Sequence, residues 1–213
     1  TPIQKGGFGP ARFLVQAKGN LKKLLSPGDL QFLLQRNDDA APNWAIAAKQ
    51  KNNHVDRFLD GLDMVEFLAD DLVEKLNKNL PTNGRVSHET QYQKSFIDWF
   101  HVKPNEWIQT LYAVLYDEYY KSVKPSQHQQ RSLIVRLEII KTLNEEFTAG
   151  KACYFMVGNS PGGAAMPTVE PATYTTGEYK GEQNDAHRFL EAIGVREVGS
   201  SEKIEIILKQ RYG

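Results

Sequence analysis

Cysteine is almost absent: Cys153 stands alone among 213 residues. One thiol excludes an intrachain disulfide and any thiolate metal cluster drawn from this chain by itself. Long apolar runs are missing as well. None approaches the roughly 18 residues that a membrane-spanning helix requires, and no signal-peptide pattern opens the sequence as it stands. The expectation is a cytoplasmic protein without membrane contact. Net charge is also missing, since 26 Lys and Arg balance 26 Asp and Glu. Proteins that coat nucleic acid carry a basic surplus, so only a local patch remains open to that function. Isolated domains gain solubility from net charge. The zero balance and the first residue, Thr1, therefore suggest a piece of something larger. Internal repeats, low-complexity tracts and heptads are absent too.

What is present is good packing periodicity. Hydrophobic residues make up 40% and charged residues 24%, which is ordinary globular usage. The opening "TPIQKGGFGPARF" is rich in Gly and Pro and reads as an irregular arm. "LLSPGDLQFLLQRN" reads as a helix, with Ser26 as N-cap, Pro27 at the first helical position and Asp29 in the first turn. A short helix is expected around Trp44 to Lys51. "HVDRFLDGLDMVEFLADDLVEKLNKNL" reads as helical, with Val65, Leu68, Leu72, Val73 and Leu76 at three- and four-residue spacing. Gly61 is a potential interruption. Two further helices are expected in "TQYQKSFIDWFHV" and "KPNEWIQTLYAVLYDEYYKSV". The pattern then shifts. "SLIVRLEII", "EEFTAG" and "KACYFMV" read as two or three antiparallel strands. The end reads as a helical hairpin. Its first helix, "NDAHRFLEAIGV", has Asn184 as N-cap and Gly194 as C-cap. Its second, "GSSEKIEIILKQRY", has Ser200 as N-cap and a Glu205–Lys209 pair.

Few of these residues announce chemistry. The stretch "CYFMVGNSPGGAAMP" looks at first like a strand feeding a phosphate loop. A P-loop needs a lysine and an immediate helix, and this stretch has no lysine. Gly158, Gly162 and Gly163 are misspaced for a dinucleotide fingerprint, and Pro161, Pro167 and Pro171 oppose a helix. The reading is a surface loop. His54, His88, His101, His128 and His187 show no metal-ligand spacing. Cys153 reads as buried packing. On a helix, Glu66, Asp70 and Glu74 share one face beside Asp71, and an exposed acidic stripe explains them without a metal. Aromatic residues in "FIDWF" and "WIQTLYAVLYDEYY" read as core, with Tyr119 and Tyr120 beside Lys121 and Lys124 the candidates for exposure and base stacking. The best local basic patch joins "LKQRYG" to Arg188 and Arg196. Glu202 and Glu205 on the same helix oppose DNA reading there.

"HRFLEAIGVREVGSSEKIEIILKQRY" resembles a recurring element of large bacterial sacsin-like ATP-binding proteins, of the gyrase, chaperone and histidine-kinase ATPase superfamily. "LIVRLEI" and "CYF" resemble the sheet segment that precedes it. "LLSPGDLQFLLQRN" and "EWIQTLYAVLYDEY" look like that family's non-catalytic body. The family's acidic residue, asparagine and D-x-G-x-G loop have no counterpart here. The resemblance therefore implies a region outside the ATPase.

These readings combine into an α+β fold: a mainly helical body, a small antiparallel sheet and a C-terminal helix pair. The expected divisions are an arm at 1–25, a helical region at 26–124, and the sheet with the hairpin at 125–213. The expected function is a non-enzymatic interaction or motion-transmitting region of a large ATP-dependent protein. Its partner would be a protein or the remainder of the same long chain. No catalytic, cofactor-binding or metal residue is assigned, and no cofactor is expected. The alternative is a nucleic-acid-associated module of a restriction or phage-defence system. A third class is a hydrolase built from scattered histidines and acids.

Overall fold

Val15–Ala17 forms strand β1 with all three side chains buried. A 3-10 turn, Ala11–Phe13, precedes it, and helix α1, Leu21–Leu24, follows. The computed structural model describes residues 10–35, 57–58, 61–82, 90–122, 124–156, 166–177 and 179–199. Residues 10–25, within the expected arm, are thus folded. Leu14, Leu21, Leu24 and Leu25 are buried, and that burial holds the segment despite the glycines before it. Helix α2, Pro27–Leu34, starts as the sequence indicates. Ser26 accepts from the Asp29 amide while Asp29 accepts from the Ser26 amide, a complete capping box with Pro at the helix start.

Strand β2, Val65–Phe67, pairs with β1 in parallel, Val15 opposite Val65. The long helix expected across this region is therefore corrected. Val65–Phe67, in its middle, is strand, and helix α3 begins only at Ala69 and ends at Asn79. Asp71 accepts from the Leu68 amide at 2.7 Å and fixes that start. Leu72, Val73 and Leu76 are buried as their spacing indicated, while Val65 and Leu68 are exposed.

The chain divides into two compact units, Thr1–Lys75 and Leu76–Gly213, so the division falls inside α3. The sequence had suggested divisions after residues 25 and 124.

In the second unit, helix α4, Gln91–His101, opens on a capping box between Thr90 and Gln93. Helix α5, Asn105–Tyr119, carries Ile108, Leu111, Tyr112 and Leu115 into the core. Helix α6 is His128–Ile134. "SLIVRLEII" was expected as strand, yet helix runs to Ile134 and a turn follows. The Val135 amide donates to the Arg131 carbonyl, and the Leu137 amide to that of Ile134. Local helical bonding overrides the β-branched composition, a context dependence typical of strand propensity. Ile140–Lys141, strand β3, pairs antiparallel with Phe147–Thr148, strand β4, and Leu137 forms a single antiparallel bridge to Thr82. "KACYFMV" is also corrected. Gly150–Ala152 is a 3-10 turn, after which Tyr154 forms single bridges to Thr168 and Arg196.

Helix α7, Ala172–Thr175, and helix α8, Lys180–Ala192, complete the described elements. α8 starts four residues before Asn184, so Asn184 is not its cap. Gly194 does end it, at φ 103°. α8 packs on α5, where the Tyr112 and Phe189 rings stack with centroids 5.4 Å apart. The fold is α+β, as the sequence suggests. The Trp44–Lys51 helix, the Gly158–Gly163 loop and the second helix of the C-terminal pair lie outside the described residues.

Candidate functional site

A cationic groove in the second unit is built from four short pieces of chain. Tyr120 follows the end of α5. A 3-10 turn, Pro125–Gln127, leads into α6, which presents His128, Arg131 and Ser132. The turn after α6 adds Val135 and Arg136, and the 3-10 turn at Gly150–Ala152 adds Lys151. These seven residues line a groove of about 430 Å³. Three carry a fixed positive charge, and none of the seven is a carboxylate.

Local sequence explains the placement. Gln127 Nε2 donates to the Glu118 carbonyl at 2.8 Å, anchoring the start of α6 to the end of α5. Pro125 suits the first position of its turn. A helix of under two turns ending at Ile134 brings Arg136 round to the side of Arg131. Lys151 is held from beneath by glycine. A Cβ on Gly150 would lie 2.7 Å from Ile193 Cγ1, and one on Gly194 3.0 Å from Lys151 Cγ. Both positions therefore need glycine for the close approach.

The groove has polar groups to spare. Tyr120 Oη is buried with no hydrogen-bond partner, and so are the Oε1 atoms of Gln127 and Gln130 in the segment that follows. A buried unsatisfied group of this kind costs about 1–3 kcal/mol. Burial pushes the Tyr120 hydroxyl up to about 12, with Arg131 opposing the rise. It therefore keeps its proton and can donate at neutral pH. Cations gathered with no carboxylate among the described lining residues raise the local positive potential, which favours an incoming anion.

The residues singled out from sequence are scattered. Among the described histidines, His128 alone joins the groove. His101 stacks on Phe147 with centroids 4.7 Å apart, and burial lowers its pKa, with Asp98 opposing. His187 stacks on Phe155 at 4.5 Å. His54 and His88 lie outside the described residues. Cys153 is fully buried, and burial pushes its thiol up to about 12, which makes a poor nucleophile. Glu66 sits on β2 paired with Lys18, so it shares no helix face with Asp70 and Glu74. Among the described residues no group of three or more His, Cys, Asp and Glu is placed to hold a metal ion. Tyr119, considered for base stacking, is buried. Arg196 donates to Tyr154 Oη at 2.9 Å and covers its ring, while Arg188 lies on α8 and "LKQRYG" is outside the described residues. Among those residues no helix is long and apolar enough to cross a membrane.

Sequence reading missed the groove because it placed Arg136 in a strand. In a strand, positions 131 and 136 face opposite sides. The available signal was "HQQRSLIVR" taken as helix plus turn.

No protein-family model matches this chain, and neither a curated protein nor a solved structure matches it.

Proposed function

We propose that the chain is a non-enzymatic interaction module that holds an acidic protein segment in the groove between α6 and the Gly150–Ala152 turn. The observation that supports this reading is the convergence of Arg131, Arg136 and Lys151 in a groove with no carboxylate among its described lining residues. The whole chain balances its charge to zero, so this local surplus stands out. In the setting that the sacsin-like resemblance implies, the segment belongs to a client or to another part of a long ATP-dependent protein. The groove also carries a serine and a histidine, but among the described residues no hydrogen bond joins His128 to Ser132. Binding is the function those donors suit best.

Titrating the full 213-residue chain with a short glutamate-rich peptide by calorimetry tests the reading. Binding that weakens as salt rises, and that falls by about tenfold on neutralising Arg131, is the expected result. No binding at low salt contradicts it.

The same cations favour a second reading, association with nucleic acid. Phosphate contacts would make affinity fall steeply with salt. A single-stranded oligonucleotide that binds more tightly than the peptide, with a steeper salt slope, would select that reading.

A further inference from the structure

We infer that the groove selects a phosphorylated side chain on the segment it holds. This deepens the module reading and rests on it. Two guanidinium groups, an ammonium, an imidazole and a hydroxyl belong to residues that line one groove, Arg131, Arg136, Lys151, His128 and Ser132. All of them can donate hydrogen bonds. A carboxylate offers two oxygens and a single charge, and a nucleic-acid phosphodiester offers two free oxygens and a single charge. A phosphomonoester offers three oxygens and about −1.5 to −2 charge at neutral pH. It matches three fixed cations and a surplus of donors better than either. Arginine also pairs with phosphate through two parallel hydrogen bonds, and here two arginines flank the same groove.

Tyr120 supplies the second observation. Its hydroxyl is buried beside the groove and has no partner. Burial holds that hydroxyl protonated, and among the described residues nothing accepts from it, so a phosphate oxygen that reached it would be its acceptor. The groove volume of about 430 Å³ lies within the range of small-ligand sites. It leaves room for the residue that carries the phosphate as well as the group itself.

The experiment compares three versions of one glycine–alanine peptide, with serine, glutamate or phosphoserine at its centre. Each is titrated into the full chain, with amide shifts recorded by NMR. The expected result is that the phosphoserine peptide binds about tenfold more tightly than the glutamate peptide, with shifts at Arg131, Ser132, Arg136 and Lys151. Lys151→Gln and Arg136→Gln change exposed residues, and each should weaken the phosphopeptide about fivefold without lowering the melting temperature. Equal binding of the glutamate and phosphoserine peptides overturns the phosphate inference and leaves the acidic-segment reading standing. No binding of either peptide removes both. Inorganic phosphate binding as tightly as the phosphopeptide assigns the groove to a free anion and overturns the inference. So does displacement of the phosphopeptide by a lower concentration of an oligonucleotide lacking terminal phosphate.

Discussion

Tyr112 Oη donates to the Ile139 carbonyl at 2.9 Å, joining the middle of α5 to the residue before β3. The same oxygen accepts from the Lys141 amide at 3.1 Å. Burial pushes the Tyr112 hydroxyl far above the ordinary tyrosine range, with the Lys141 amide opposing. One oxygen thus satisfies two backbone groups at the hairpin. Tyr112→Phe leaves both without that partner and should cost about 1–3 kcal/mol. Chemical denaturation of the two proteins measures it; a loss near zero would mean that water replaces the hydroxyl.

The start of α4 depends on Thr90, whose side chain accepts from the Gln93 amide at 3.2 Å. Gln93 accepts in return from the Thr90 amide and donates to the Lys78 carbonyl at 3.1 Å. Thr90→Ala should lower stability by about 1 kcal/mol, while Thr90→Ser should leave it nearly unchanged. Thermal melts of both variants distinguish loss of the cap from loss of the methyl group.

Gly150 tests the close packing under the groove. A Cβ there would lie 2.7 Å from Ile193 Cγ1 and 2.8 Å from Cδ1. Gly150→Ala should destabilise by about 1–3 kcal/mol through overpacking. Ile193→Val in the same chain should recover part of that loss by shortening the opposing side chain. Equal destabilisation of the single and double variants would place the cause elsewhere.

The Cys153 thiol is raised from 9.0 to about 12 by burial. The unfolded chain therefore loses this proton first as the solution becomes alkaline. The stability linked to the thiol is fully present below pH 9 and drains away as pH rises from 9 towards 12. Cys153→Ala should narrow the gap between melting temperatures at pH 7 and pH 10.5. In the native protein, Cys153 should resist alkylation at pH 8, and it should react on unfolding. Prompt alkylation without unfolding would show that the site is open.

Much of the helical architecture was legible from sequence. Ser26, Pro27 and Asp29 fixed the start of α2, and Thr90 with Gln93 shows how α4 begins by the same local rule. Buried positions on α5 followed the apolar spacing. The misreadings arose where long-range contacts decide. Val65–Phe67 is strand because β1 lies beside it, a partner about fifty residues away in sequence. Ser132–Ile134 is helical although it opens a stretch rich in β-branched residues. The groove was illegible for the same reason: Lys151 reaches Arg131 and Arg136 only after the hairpin turns back. No spacing rule links a lysine in a 3-10 turn to arginines at the end of a helix. Gly194 was legible as a helix end, but its contact with Lys151 was not.

The account stands or falls on the groove as the place where a partner segment is held. The most direct measurement is a calorimetric titration of the phosphoserine peptide into the native chain and into an Arg136→Glu, Lys151→Glu variant. Both substituted residues are exposed, so folding should be retained, which a thermal melt verifies. The account expects saturable one-to-one binding to the native chain and none measurable to the folded variant. Binding of equal strength to both proteins would contradict it.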